Sequence, residues 1–293
     1  MAVRRVGRRV VGTVVATATV GGIVMLLPRT PTFEDASAAP LPQATAVSPQ
    51  PTSTSPQPPP ASRPVRPYPV DAIFASYYAS HDGPRVLGQA ISPLTSSGGV
   101  AAQYFEKARL EDRRATNRSG DPAYDFEYGL LVDEMKAVRS LRPVGGDRSD
   151  VTYDTIQTLS DPSRRVAPPP DFTGNVQERA DGSAFVPFST DLSAAPGHIV
   201  PTYFWEFMNR DDLFPAGWLH DVGLPITPTI EARVDKGVIV GSEITRVTNR
   251  PIVVQAFQRT ILTYDPANPE GFLVERANTG TDFMAVFPDR VPQ

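Results

Sequence analysis

One phrase is written twice in this chain. Gln103 to Glu111 reads QYFEKARLE and Gln255 to Thr263 reads QAFQRTILT. Each follows a glycine phrase at a distance, LGQAISP (Leu87 to Pro93) and VGLPITP (Val222 to Pro228). Laid over each other, the stretches match at Gly88/Gly223, Ile91/Ile226, Pro93/Pro228, Gln103/Gln255, Phe105/Phe257 and Leu110/Leu262. An aromatic segment precedes each glycine phrase, AIFASYYASH after Asp71 and TYFWEFMNRDD after Pro201. Recurrence on this scale predicts small supersecondary units packed together. The recurring positions are turn glycine, turn proline, glutamine and apolar residues. That set is what a folding unit needs, and most polar residues that would do chemistry differ between copies. Gly88, Ile91, Pro93, Gln103, Phe105, Gly223, Ile226, Pro228, Gln255 and Phe257 are therefore expected to be structural.

The pattern predicts an α+β fold of two related units, each made of short helices and β-hairpins. The first is expected over residues 70–140, the second over 141–293 with inserted strands. Asp71 is suited to cap the first aromatic helix, and Pro201 to start the second. VAAQYF reads as a strand, YGLLVDEM as a short helix and GSAFVPFS as a strand. IVVQAFQRTILTYDP reads as strand-like, with FLVERA returning beside it after the turn-rich DPANPEG.

Residues 1–35 have another character. MAVRRVGRRV is followed by an uncharged run from Val10 to Leu27. Basic then apolar is the layout of an export signal or of a single N-terminal anchor with its arginines kept inside. Cleavage at Ala36-Ser37-Ala38 and retention as an anchor both remain open, and both put the rest of the chain outside the membrane. Residues 36–69 carry no charge before Arg63 and are dense in Pro, Ser and Thr. Such a linker favours extended polyproline conformations and serves as a stalk.

Composition narrows the chemistry. With no Cys, the chain has no disulfide, thiolate metal site or Cys nucleophile. A net charge of −4 gives no basic footprint for nucleic acid. No G-x-S-x-G, H-E-x-x-H or Walker sequence occurs, and no cofactor or metal is expected. His81-Asp82 and His220-Asp221 are adjacent pairs, and sequence neighbours usually point apart. Glu106 and Glu111 lack counterparts in the second copy, where Gln258 and Thr263 stand. Asp211, Asp212, Asp121 and Asp125 follow no calcium-loop spacing.

The phrases resemble the LGFP-type repeats of bacterial envelope proteins. The second half is more similar still to a class of bacterial secreted modules in which a YFW helix, LFPxGWLHDxGLPxT and VQxFxRxxLTYxPxNPxG occur in order. Here these are Tyr203-Phe204-Trp205, Leu213 to Thr227 and Val254 to Gly271. The first copy departs from the pattern with Ala90 where the second has Pro225. The resemblance implies an extracellular accessory or envelope-binding role and carries over no catalytic residues.

Recognition by such a module falls to aromatic and polar side chains, since sugar rings stack on Trp and Tyr faces. Trp218, His220, Asp221, Tyr264 and Arg259 are the candidate ligand-binding residues. Trp205 is expected in the core and Trp218 in a more exposed loop. Gln255 and Arg259 share a parity on the expected strand, which would place both on one face. The reading is a noncatalytic cell-surface module, membrane-anchored or secreted, binding envelope polysaccharide or a surface protein. The alternative is a secreted hydrolase or its accessory part, with His220 or His198 meeting a Ser or carboxylate in a cleft.

Overall fold

The structure is a computed structural model that describes residues 67–240 and 243–290. The basic–apolar segment, the cleavage motif and the proline-rich stretch up to residue 66 lie outside the described residues. Among the described residues no helix is long and apolar enough to cross a membrane. The architecture is α+β, with every sheet antiparallel.

In chain order, α1 (Ala72–Ser80) and α2 (Gly83–Val86) lead into β1 (Thr95–Ser97), β2 (Val100–Tyr104), β3 (Arg109–Asp112) and β4 (Phe126–Tyr128). These four strands form one sheet in sequence order. α3 (Leu131–Ala137), β5 (Arg148–Ser149) and α4 (Tyr153–Leu159) follow. β6 (Gln177–Glu178), β7 (Ala184–Pro187) and β8 (Gly197–Val200) make a three-stranded sheet. α5 (Thr202–Met208) and α6 (Trp218–Asp221) precede β9 (Ile230–Val240), β10 (Glu243–Ala256), β11 (Ile261–Tyr264) and β12 (Val274–Arg276). The last four join β5 in the order β12-β11-β10-β9-β5, and α7 (Thr279–Val286) follows.

The two phrases fold alike, with most backbone bonds repeated. Ile91 N donates to Tyr104 O and Ile226 N to Ala256 O, both at 2.8 Å. Phe105 N closes a tight turn on Ala108 O, and Phe257 N does the same on Thr260 O. Tyr104 N donates to Ser92 Oγ and Ala256 N to Thr227 Oγ1. Gly88 and Gly223 both have positive φ, +74° and +84°. A Cβ at either would collide with Glu106 or Gln258. Those side chains bend back to accept from the amides of Gln89 and Leu224, so only glycine suits both the turn and the cap.

The glutamines are the centre of each phrase. Gln103 is fully buried, and its Nε2 donates to Pro69 O and Ser92 O while its Oε1 accepts from Asp71 N. Gln255 Nε2 donates to Ile199 O and Thr227 O. A buried amide tied this way pins the helix start to the turn and to the strand, because each broken bond would leave a desolvated backbone group.

Two expectations need correction. The stretch from Ile252 through Tyr264 is two strands joined by the Phe257–Thr260 turn, and not one run. Arg259 therefore sits in a turn and shares no strand face with Gln255. The helix expected from Tyr128 begins at Leu131, because Phe126 to Tyr128 pair with β3 instead. The β9–β10 hairpin also went unread. Ile230, Ala232 and Val234 alternate with polar residues as a strand should, and Gly237, Asn249 and Pro251 interrupt the pattern and make the stretch resemble a connection.

Neither phrase has a core of its own. One apolar cluster joins Phe74, Phe105, Leu110 and Tyr128 to Phe204, Phe257 and Leu262. The other joins Ile91, Tyr104 and Leu131 to Ile226, Val254 and Phe283. Register matches Tyr128 to Leu110 as it matches Arg276 to Leu262. These equivalent positions meet at the seam, where the Arg276 guanidinium lies 4.4 Å from the Tyr128 ring centre. The turns also cross over. Arg259 bonds Glu127 and the carbonyl of Tyr128, and Thr279 Oγ1 donates to Lys107 O.

Candidate functional sites at the seam and beside His220

A cleft of about 540 Å³ lies along that seam. Lys107 comes from the first phrase, Arg142 to Asp147 from the middle segment, and Thr263 and Glu275 to Asp282 from the second. Lys236 and Gly237 of β9 form a further wall. The lining mixes donors and acceptors and contains no aromatic residue. Gly145, Gly146 and Gly237 expose backbone there, while Thr263, Asn278 and Thr281 supply neutral polar groups.

Several charges in the cleft are held. Lys107 Nζ donates to Arg85 O, and burial depresses its pKa below the usual lysine range. Lys236 pairs with Asp265 at 2.7 Å. Asp282 accepts from Arg142 through Oδ1 and from the Tyr153 hydroxyl through Oδ2. Burial raises the Asp282 pKa to about 6, opposed by the Arg142 charge and these hydrogen bonds. Both its oxygens are engaged, so it is poorly placed to give a proton to a bound molecule.

A second, shallower depression of about 440 Å³ lies beside His220. Here two neighbours in sequence do meet, since His220 Nδ1 is 2.8 Å from Asp221 Oδ1. They stand on the single short turn of α6, where the Asp221 carboxylate turns inward and also accepts from Ala216 N at 3.1 Å. Asp221 is only 1% exposed and sits in the electrostatic reach of Tyr77, Tyr128 and Arg276. Burial is the largest influence on those phenols, raising Tyr128 to about 12.

The other expected site residues are scattered. Trp218 opens α6, half-buried, with its ring edge-on to Trp205 at 5.5 Å. Trp205 packs in the core and donates through Nε1 to Glu178. Tyr264 stacks on Tyr203 at 4.1 Å. Arg259 reaches the His220 depression only through its partner Glu127. His198 lies in β8, buried, with Nε2 unpartnered. His81 bonds Ser80 and the Tyr77 carbonyl. Glu111 is paired with Arg109 and Arg113, and Glu106 caps a turn. No group of three or more His, Asp or Glu able to hold a metal ion occurs among the described residues.

Sequence reasoning did not find the seam cleft. Its walls come from four distant segments with no local motif, and the Gly145-Gly146 doublet was the one cue. Comparison with protein-family models, with curated proteins and with solved structures finds no match.

Proposed function

We propose that this chain is an exported surface module that binds envelope polysaccharide in the seam cleft. The observation that carries the reading is the lining, with donors and acceptors side by side and glycine backbone exposed between them. A polyol presents both kinds of group at close spacing and is matched by such a wall. The volume falls within the range of small-molecule sites, enough for a short stretch of a glycan. Asp282 is tied on both oxygens, which fits binding better than acid catalysis in the cleft.

The two phrases are, on this reading, copies of one folding unit. Their shared residues make the turn and the glutamine staple, and the ligand site arises where they differ. The resemblance to LGFP-type envelope modules agrees with this role. So do the N-terminal basic–apolar segment and proline-rich stalk, which would display the fold outside the membrane.

Retention of the full-length chain on isolated cell-envelope polysaccharide tests the proposal, with Glu275→Ala and Asn278→Ala beside it. The expected outcome is retention of the parent and at least tenfold weaker retention of both variants. Equal retention of all three would move the site away from the cleft. Loss of all retention would shift weight to a protein partner or a plain spacer.

A further inference from the structure

The depression beside His220 carries chemistry that the cleft does not use. Asp221 is buried and faces Nδ1 of the imidazole at 2.8 Å. A buried carboxylate there holds the proton on Nδ1 and leaves Nε2 with its lone pair outward. The ring is further fixed by Tyr124, edge-on at 4.9 Å. The matching positions in the first phrase are Arg85 and Val86, so the folding unit does not require a His-Asp pair.

The rest of the depression says what such a base can act on. Ser119 lines it, yet its hydroxyl donates to Asn117 Oδ1 at 2.6 Å and accepts from Asp121 N. A serine committed to its own turn is a poor nucleophile, which leaves water. Arg118 lines the same depression and forms no ion pair among the described residues, so its charge is available to an oxyanion. Glu127, the one carboxylate in the lining, is held by Arg113 and Arg259. That removes the carboxylate pair that glycoside hydrolysis ordinarily needs.

We propose that His220 is the general base of a hydrolytic site for ester-linked substituents, such as acetyl groups on a polymer. Nε2 takes a proton from water as the water oxygen bonds to the acyl carbon, and Arg118 faces the resulting oxyanion. When that intermediate collapses, the bond from the acyl carbon to the alkoxy oxygen breaks. The imidazolium returns its proton to the departing oxygen, leaving acid and alcohol. This site is separate from the seam cleft and does not depend on glycan binding there.

The test is acetate release by the full-length chain from an O-acetylated polysaccharide and from p-nitrophenyl acetate. The parent should release acetate above the buffer rate, and His220→Gln should lose at least ~100-fold, the low end for removal of a general base. A melting temperature is taken beside each rate, and the Gln amide can still donate to Asp221, so His220→Gln should stay folded at the assay temperature. Asp221→Asn should fall too, and His220→Gln keeps the test decisive if that buried change impairs folding. Ser119→Ala should retain activity. No release by the parent, full activity in His220→Gln, or loss in Ser119→Ala would each overturn the proposal. Retention on polysaccharide, measured in parallel, should be the same for His220→Gln and the parent.

Discussion

The side-chain oxygen of Gln103 accepts the backbone N–H of Asp71 at 2.9 Å, and Gln255, at the matching place, has no such donor. Pro201 stands where Asp71 stands, and proline has no N–H. Gln255 Oε1 is accordingly buried without a partner. The two residues otherwise share nearly the same backbone angles, with φ and ψ of −61° and 146° at Asp71 and −60° and 153° at Pro201. The second copy thus carries a vacancy that the first copy shows how to fill.

Pro201→Asp should stabilise the protein. It restores an N–H for Gln255 Oε1 and adds a side-chain cap to α5, together worth about 1–2 kcal/mol. Chemical denaturation of both proteins checks this. An unchanged or lower midpoint would show that the two helix starts are not equivalent.

The glutamines themselves should differ in worth. Gln103→Leu strands three backbone groups and should cost on the order of 3 kcal/mol, and Gln255→Leu strands two and should cost about 1 kcal/mol less. The same denaturation series measures both. A larger cost at Gln255 would contradict the bonding pattern.

Alanine at Gly88 or Gly223 meets both a positive φ and a neighbouring side chain. Each substitution should cost on the order of 2 kcal/mol. Gly98, also at positive φ but with open space around it, isolates the backbone part alone. Gly98→Ala should therefore be the mildest of the three.

Two buried groups should oppose each other in acid. Burial, with the Arg165 charge, lowers the His198 pKa to about 4, and it is only 2% exposed. Its unfolded form binds the proton first, so its contribution is lost as pH falls from about 6.5 to 4, at roughly 3 kcal/mol in full. Asp282 is raised to about 6, so its contribution is greatest below the unfolded value and is lost as pH rises to about 6. Relative to the parent, His198→Met should gain stability on going from pH 6 to pH 4, and Asp282→Asn should lose it. Unfolding free energies at the two pH values decide, and slopes of the same sign in both variants would refute the assignment.

Much of the scaffold was legible in the sequence because it rests on local chemistry. The aromatic segments after Asp71 and Pro201, the glycine turns and Gln-x-Phe all act within a few residues of their place in the chain. Assembly was less legible. The turn at Phe257 to Thr260 was hidden because it contains no Gly or Pro and lies between the apolar, β-branched runs ending at Ala256 and starting at Ile261, and the turn is imposed by backbone bonding. Trp218 and Tyr264 stood out by residue type, but Trp218 packs edge-on with Trp205 and Tyr264 stacks its face on Tyr203. His220 and Asp221 were noticed, and their contact depended on an inward carboxylate that adjacency does not reveal. The cleft needed Lys107, Arg142, Lys236 and Asp282 brought together from across the fold.

Amide chemical-shift mapping of the full-length protein with soluble fragments of the envelope polysaccharide tests the binding account most directly. The account predicts saturable shifts at Gly145, Gly146, Thr263 and Asn278, with little change at Trp218. Shifts gathered around Trp218 and Tyr264 instead, or none at any residue at saturating fragment, would contradict it.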